Sequence, residues 1–371
     1  MARATSSLQI DDLRRNYVFD PAEVATLTGL LGRMAFVVCH KNEHVQTLVG
    51  VLRHLPTESS IVVVSNCPEP QLGELRSLLS GLLARHQRVF VVHQRDRAIA
   101  RFFGDRGVTG ILGGDDLVRN GKGEAMYIGA LCAVLLESTG GVVFYDADNH
   151  MPSSLLEYTF GIATELAKTN SMALDGAETL HNIRLAWASK VDFREPLPDG
   201  PVMGRCSAVV SPLITTIVES LFGAVSPPIR SPNAGEQAMS WDAVTTLRFS
   251  SGFSNEAFQL LDLLFASVSS NGRPRRVLLQ QFHSVNPHVH TKRNDEHIRN
   301  LVAQSVGGIL AFRDSLPSSA LLAVDSVAKR YGLDTIEPTV YPPIQSLAPG
   351  TCSFSVSAYR LSTASATANR A

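Results

Sequence analysis

Short apolar runs alternate with amphipathic stretches along the first half of the chain. MAFVVCH (34–40), SSIVVVSN (59–66), RVFVVHQ (88–94) and GVVFYD (141–146) end in polar or turn-forming residues and predict buried strands. Between them, HVQTLVGVLRHL (44–55), PQLGELRSLLSGLLARH (70–86) and EAMYIGALCAVLLEST (124–139) have helical spacing. Strand runs separated by helices predict βαβ units and a mainly parallel sheet buried on both faces. Beyond PLPDGP (196–201) the pattern is less regular. SPLITTIVESLFGAV (211–225), NEAFQLLDLLFASV (255–268) and HIRNLVAQSVGGILAFRDSL (297–316) predict helices, and RRVLLQQFHS (275–284) predicts a strand. The fold class is therefore α/β, with a Rossmann-like half followed by a second, less regular half.

Composition changes this picture little. The 371 residues are 44% hydrophobic and 18% charged, enough for a sizeable core. A net charge of −1 excludes nucleic-acid binding by bulk electrostatics. The five cysteines are scattered without a CxxC pair, which fits a reducing cytosol and no zinc cluster. No secretory signal is expected, because residues 1–15 have no apolar region, and no apolar run approaches the about 20 residues of a membrane span. The small, polar tail after Pro349 is expected to fray. No GxGxxG follows the first strand, so a dinucleotide is not indicated.

Candidate chemistry gathers at the carboxyl ends of the strands, where open α/β sheets bind ligands. Cys39–Glu43, Ser65–Asn66, His93–Asp96 and Asp146–Asp148 all stand at such ends, and together they suit a nucleotide site. Singly, each is an ordinary turn former. Asp146 and Asp148 in FYDADNH repel each other unless they are hydrated or share a cation. At a strand end they can take separate tasks, one meeting a divalent cation and the other a ribose or a water on that cation. Mg²⁺ or Mn²⁺ bridging a diphosphate suits the pattern, and so does an Asx-turn or helix cap before MPSSLLEY. The same couplet admits a phosphohydrolase of the haloacid-dehalogenase type with Asp146 as nucleophile. Against that, His150 stands where such enzymes have Thr or Val.

Three further stretches are rich in polar chemistry. GGDDLVRNGKGEAM (113–126) sets Lys122 between glycines at a helix start, where backbone N–H groups can approach an anion, although it is not a Walker loop. In SPNAGEQAMS (231–240), Glu236 can bond sugar hydroxyls or cap a helix. NPHVHTKRNDEHI (286–298) contains His288, His290 and His297, and one imidazole of a His-x-His can reach a metal.

Taken in order, GDDLVRNGKGEAM, FYDADN, SPNAGEQAMS and NPHVH…EHI resemble the mannosyl-3-phosphoglycerate synthase family, retaining glycosyltransferases of GT-A fold. Lys41-Asn42-Glu43 after the first strand fits the family's start, while His40-Lys41 and Cys39 depart from its commoner Thr-Arg and proline. The resemblance implies transfer of mannose from GDP-mannose to 3-phosphoglycerate, with release of GDP, and a divalent metal, Mg²⁺ or Mn²⁺. It implies metal ligation by Asp146 and Asp148, with Asp148 the more direct, and by a histidine of the pair His288 and His290. Glu43, Ser65, Asn66, Asp96 and Asp146 would line the nucleotide pocket, Lys122 would lie near the diphosphate or donor sugar, and Glu236 would hold mannose hydroxyls. Asp148, Glu236 and Lys122 are thereby the catalytic candidates. Gly204, Arg205 and Ser207 resemble a Gly-Arg-x-Thr turn that holds the acceptor phosphate, a task to which guanidinium and hydroxyl are suited. The expected division is a nucleotide-sugar-binding half at 30–150, a sugar- and acceptor-binding half at 151–320 and a partly flexible extension at 321–371. The expected partners are GDP-mannose and 3-phosphoglycerate, with no nucleic acid and no membrane, in the cytoplasm; a homodimer and a related glucosyltransferase remain open.

Overall fold

The computed structural model describes residues 7–13, 27–41, 43–83, 85–86, 88–172, 178–196, 198–223, 227–267, 275–291, 294–334, 336–347 and 354–362. The strands are β1 (Ser7–Leu13), β2 (Met34–His40), β3 (Ser60–Ser65), β4 (Val89–His93), β5 (Gly141–Asp146), β6 (Glu178–Ala186), β7 (Lys190–Asp192), β8 (Gln237–Met239), β9 (Phe249–Ser250), β10 (Arg275–His283), β11 (His288–His290) and β12 (Val340–Tyr341). Eight of them form one sheet in the order β1-β10-β6-β8-β5-β2-β3-β4. Its neighbours pair in parallel, except that the three-residue β8 runs antiparallel to both β5 and β6. β7 and β11 form a separate parallel pair, as β9 and β12 form an antiparallel one.

Strand side chains alternate between two apolar cores, as period-2 geometry requires. Met34, Phe36 and Val38 of β2 enter one core, and Ala35 and Val37 the other. The first core is covered by α1 (Val45–Arg53), α2 (Glu69–Leu82) and, after α3 (Arg97–Asp105) and α4 (Lys122–Leu135), by α5 (Ser154–Met172). The second is closed by α3, α4, α6 (Arg205–Phe222), α7 (Trp241–Thr246), α8 (Ser254–Ala266), α9 (Asp295–Leu310) and α10 (Ser318–Tyr331). Among the described helices α6 is long and apolar enough to cross a membrane, with 18 residues of mean hydropathy 1.3. Its Val210, Ile214 and Ile217 are buried in the core, where it meets α9 and α10.

The expected strands of the first half and β10 appear within a residue or two of their sequence bounds. The helices shift more. The segment expected at 211–225 starts at Arg205, so Gly204 to Ser207 is a helix start rather than a free turn. β1, β6, α3 and α10 were not foreseen, and α5 only through the helix-cap reading before MPSSLLEY. The tail expected to fray is packed at residues 354–362: Leu361 N donates to Val89 O at 2.8 Å and Phe354 meets Phe102 edge-on at 5.5 Å. Its scattered apolar residues find core where composition alone suggested none. Residues 348–353 and 363–371, like Asn42, lie outside the described residues.

Candidate active site

The turn after β5 is built by Asn149. Its Oδ1 accepts from Met151 N at 2.9 Å, an Asx-turn, and from Val289 N at 3.3 Å. His150 N donates to Val289 O at 2.6 Å. Glu157 on α5 holds the approach to β11 by accepting from Asn286 N at 3.0 Å. The Asx-turn and the metal reading of FYDADNH are therefore not rivals, because the turn carries β11 alongside Asp148.

His288 Nε2 lies 3.3 Å from Asp148 Oδ1, and His290 Nδ1 lies 3.8 Å from Asp148 Oδ2. One ligand atom from each of these three residues falls within 4.8 Å of the others. His288 is 1% exposed and stacks on Trp187 at 5.1 Å. Glu236, also buried, has Oε1 3.7 Å from His288 Nε2. Burial would raise the Asp148 carboxyl, but the neighbouring imidazoles of His288 and His290 outweigh it and hold the group well below the usual range. Asp148 Oδ1, Glu236 Oε2 and both His288 nitrogens are buried without a hydrogen-bond partner. Such orphaned polar atoms are costly unless something binds them. An oxygen-and-imidazole set of this kind fits a divalent cation.

Asp146 faces a different group. Lys122 Nζ reaches Asp146 Oδ1 at 2.7 Å and Glu256 Oε1 at 2.8 Å. Burial would lower the Lys122 ammonium, but Asp146, Glu256 and Glu236 prevail and raise it well above its ordinary value. Gly235 makes the pair possible, since a Cβ there would collide with Lys122 Nζ and lie 2.7 Å from Asp146 Oδ2. The start of α4 is clamped: Gln94 Nε2 donates to Arg119 O at 2.7 Å and Gly121 O at 2.9 Å. A Cβ on Gly123 would meet Gly252 O at 2.9 Å. The two aspartates thus have separate partners, Asp146 on the Lys122 side and Asp148 on the histidine side.

Glu43, Ser65, Asn66 and Asp96 follow the carboxyl ends of β2, β3 and β4, on the rim beside Asp146. Glu43 Oε2 accepts from Lys41 N at 2.6 Å. Ser65 is buried, with its hydroxyl 2.9 Å from His40 Nδ1 and 3.1 Å from Cys67 Sγ. Asn66 is half-buried, and Asp96 caps α3 by accepting from Ala98 N at 2.7 Å. On the opposite side a cavity of about 670 Å³ is lined by Gly204 and Ser207, with Trp187, Lys190, Arg230 and Asn233. Arg205 is not in that lining; it donates to Asp295 Oδ1 at 2.7 Å on the surface.

Residues 8–349 match the family model of mannosyl-3-phosphoglycerate synthase. The chain belongs to that family. A mannosyl-3-phosphoglycerate synthase of Pyrococcus furiosus is 29% identical over 296 residues, 75% of this chain and 72% of that protein. One of Aeropyrum pernix is 29% identical over 326 residues, 84% and 81% of the two chains. In structure the chain resembles glucosyl-3-phosphoglycerate synthase from Mycobacterium tuberculosis in complex with Mn²⁺, UDP-glucose and glycerol 3-phosphate. The TM-score is 0.54 at 17% identity, covering 90% of this chain and 98% of that one. The same enzyme with Mn²⁺, UDP and phosphoglyceric acid gives 0.54 at 18% identity, covering 91% and 99%. The α/β fold is of the GT-A type.

Membership of the synthase family replaces the phosphohydrolase reading of the aspartate couplet. Site features that sequence reasoning missed have a common character. Glu256 is an acid buried on the apolar face of α8, a signal that was available in NEAFQLLDLL. Arg184 is fully buried and donates to Ser231 O, Pro232 O and Glu256 O, each at 2.9 Å, so it fastens the Glu236 loop to the helix bearing Glu256. Lone basic residues such as Lys190 and Arg230 give no motif at all.

Proposed function

We propose that the protein moves mannose from GDP-mannose to the hydroxyl of 3-phosphoglycerate, releasing GDP with retention of configuration, and that Mg²⁺ or Mn²⁺ is required. The family supports the reaction. The Asp148–His288–His290 cradle with its orphaned buried atoms is the observation that carries the metal requirement. These three residues would hold the ion, and the Mycobacterium tuberculosis relative holds Mn²⁺ on a similar fold. When bound, the ion supplies Lewis-acid stabilisation of the departing diphosphate.

The chain's own residues do the rest. Lys122, held between Asp146 and Glu256, offsets the carboxylate charge that would otherwise face the departing diphosphate. Glu43, Ser65, Asn66 and Asp96 form the guanosine rim. Glu236 turns an unpaired oxygen toward the site, suited to a hydroxyl of the transferred sugar. The acceptor lies in the cavity at Gly204 and Ser207. Attack from the face that the diphosphate leaves needs no enzymic nucleophile, and a glycosyl group trapped on Glu236 would overturn that route. We assign the protein to a reducing compartment such as the cytosol, since Cys39, Cys67, Cys132 and Cys206 are free thiols.

A donor-by-acceptor screen with and without EDTA tests the reading. GDP should appear only when 3-phosphoglycerate is present, and EDTA should stop it. Asp148→Ala should slow transfer by about 10²–10⁴ and abolish calorimetric Mn²⁺ binding. Full-rate synthesis after removal of every divalent ion would sink the metal requirement. GDP-glucose used as well as GDP-mannose would shift the donor assignment, since one hydroxyl's orientation separates them.

A further inference from the structure

The large cavity beside the cradle has an uneven charge distribution. Its lining includes Lys190, Arg230 and His283, and no aspartate or glutamate. Among the described residues, neither Lys190 nor Arg230 has a carboxylate partner. Lys190 is placed by two features. It sits on β7 opposite His288, one strand from the metal cradle. Its stem also passes Gly204, where a Cβ would come 3.2 Å from Lys190 Cδ, so that glycine clears the lysine's path. Arg230 opens the loop that continues through Ser231 and Asn233 to Glu236, and Asn233 Oδ1 is buried without a partner. His283 ends β10, with Nε2 3.1 Å from Asp12 Oδ2. Asp12 is itself fixed by Gln281 Nε2 at 2.8 Å, so β1 orients the imidazole at the cavity edge. Apolar Trp187, Val202 and Met203 share the wall and thin the water around Lys190 and Arg230.

From this geometry we infer that Lys190, Arg230 and His283 are the specificity-determining residues for a small acceptor carrying two anionic groups, a phosphate and a carboxylate. The inference rests on the acceptor reading above and deepens it: charge recognition lies inside the cavity, on side chains scattered over β7, the 230–236 loop and β10. An acceptor with only one of the two anions leaves part of the cluster unmatched, which is how the cavity selects.

The test separates binding from turnover. Calorimetry with 3-phosphoglycerate in the presence of GDP and Mn²⁺ is run on wild type and on Lys190→Gln, Arg230→Gln and His283→Gln, with the exposed Lys329→Gln as the charge control. Lys190→Gln and Arg230→Gln should each weaken acceptor binding and raise its KM by about 10- to 100-fold. His283→Gln should have a smaller effect of the same kind. In all three, the KM for GDP-mannose should stay within about threefold of wild type, and Lys329→Gln should change neither. For each variant the penalty should shrink with glycerate, which lacks the phosphate, or with glycerol 3-phosphate, which lacks the carboxylate. Unchanged acceptor KM, or a rise confined to the donor, would overturn the assignment. If the wild type binds 3-phosphoglycerate and the variants lose it, but no glycoside forms, the anion site stands and the transferase reading fails.

Discussion

At the scale of single residues the site depends on close approach. Gly235 is the sharpest case, because any side chain there would displace Lys122 from Asp146. Gly235→Ala should cut transfer on the order of 10²-fold, the usual result of a misplacement near 1 Å, while circular dichroism shows the fold retained. Burial also governs the cysteines. It pushes the Cys206 thiol up to about 12, so at pH 8 the group stays protonated and inert. Alkylation followed by peptide mass spectrometry should leave Cys206 unlabelled in native protein and label it after denaturation. The exposed-looking chemistry was readable from sequence: Asp146, Asp148, His288, His290, Lys122 and Glu236 all lie in short polar clusters, and the structure gathers them. The buried chemistry was not. Arg184 has carbonyl and amide partners instead of acids, so nothing local marked it, and the one local sign of Glu256 was an acid set into the apolar run NEAFQLLDLL.

Among the elements, β6 shows why a strand can be invisible. In ETLHNIRLA the buried positions include His181, Asn182 and Arg184, which break the apolar pattern but are satisfied internally. His181 lies 2.7 Å from Thr169 Oγ1 and 2.7 Å from Gln280 Oε1. Burial lowers its imidazole from 6.5 to about 4, so the folded protein holds it neutral. The unfolded chain binds the extra proton between those values, so this contribution to stability is present above pH 6.5 and is lost as pH falls toward 4. The loss amounts to about 3 kcal/mol. Urea midpoints at pH 7 and pH 4 should fall further apart for wild type than for His181→Gln. The helices of the first half were legible because their faces are simply apolar. α3 was missed because two arginines interrupt it, although Asp96 caps it and Phe102 and Phe103 fix it in the core.

Across the whole molecule one sheet spans both halves that the sequence suggested, with β1 at one edge and β4 at the other. The segment at 354–362 covers the β4 edge, where an uncovered strand would invite pairing with other chains. Phe354→Ala should cost about 3 kcal/mol, read as a lowered urea midpoint, because it empties a buried site against Phe102. This arrangement could not be read from single segments, since it depends on partners far apart along the chain.

β8 has a temporal consequence as well. Among the described residues it is the only link in the main sheet between the β1-β10-β6 block and the β5-β2-β3-β4 block, and Glu236 immediately precedes it. β10, on which both β1 and β6 pair in parallel, is made after β8, so the β1-β10-β6 block cannot close until residue 283 has emerged. His288 is synthesised later still. Asp148, Glu236 and His288 therefore come together only after most of the chain has been made.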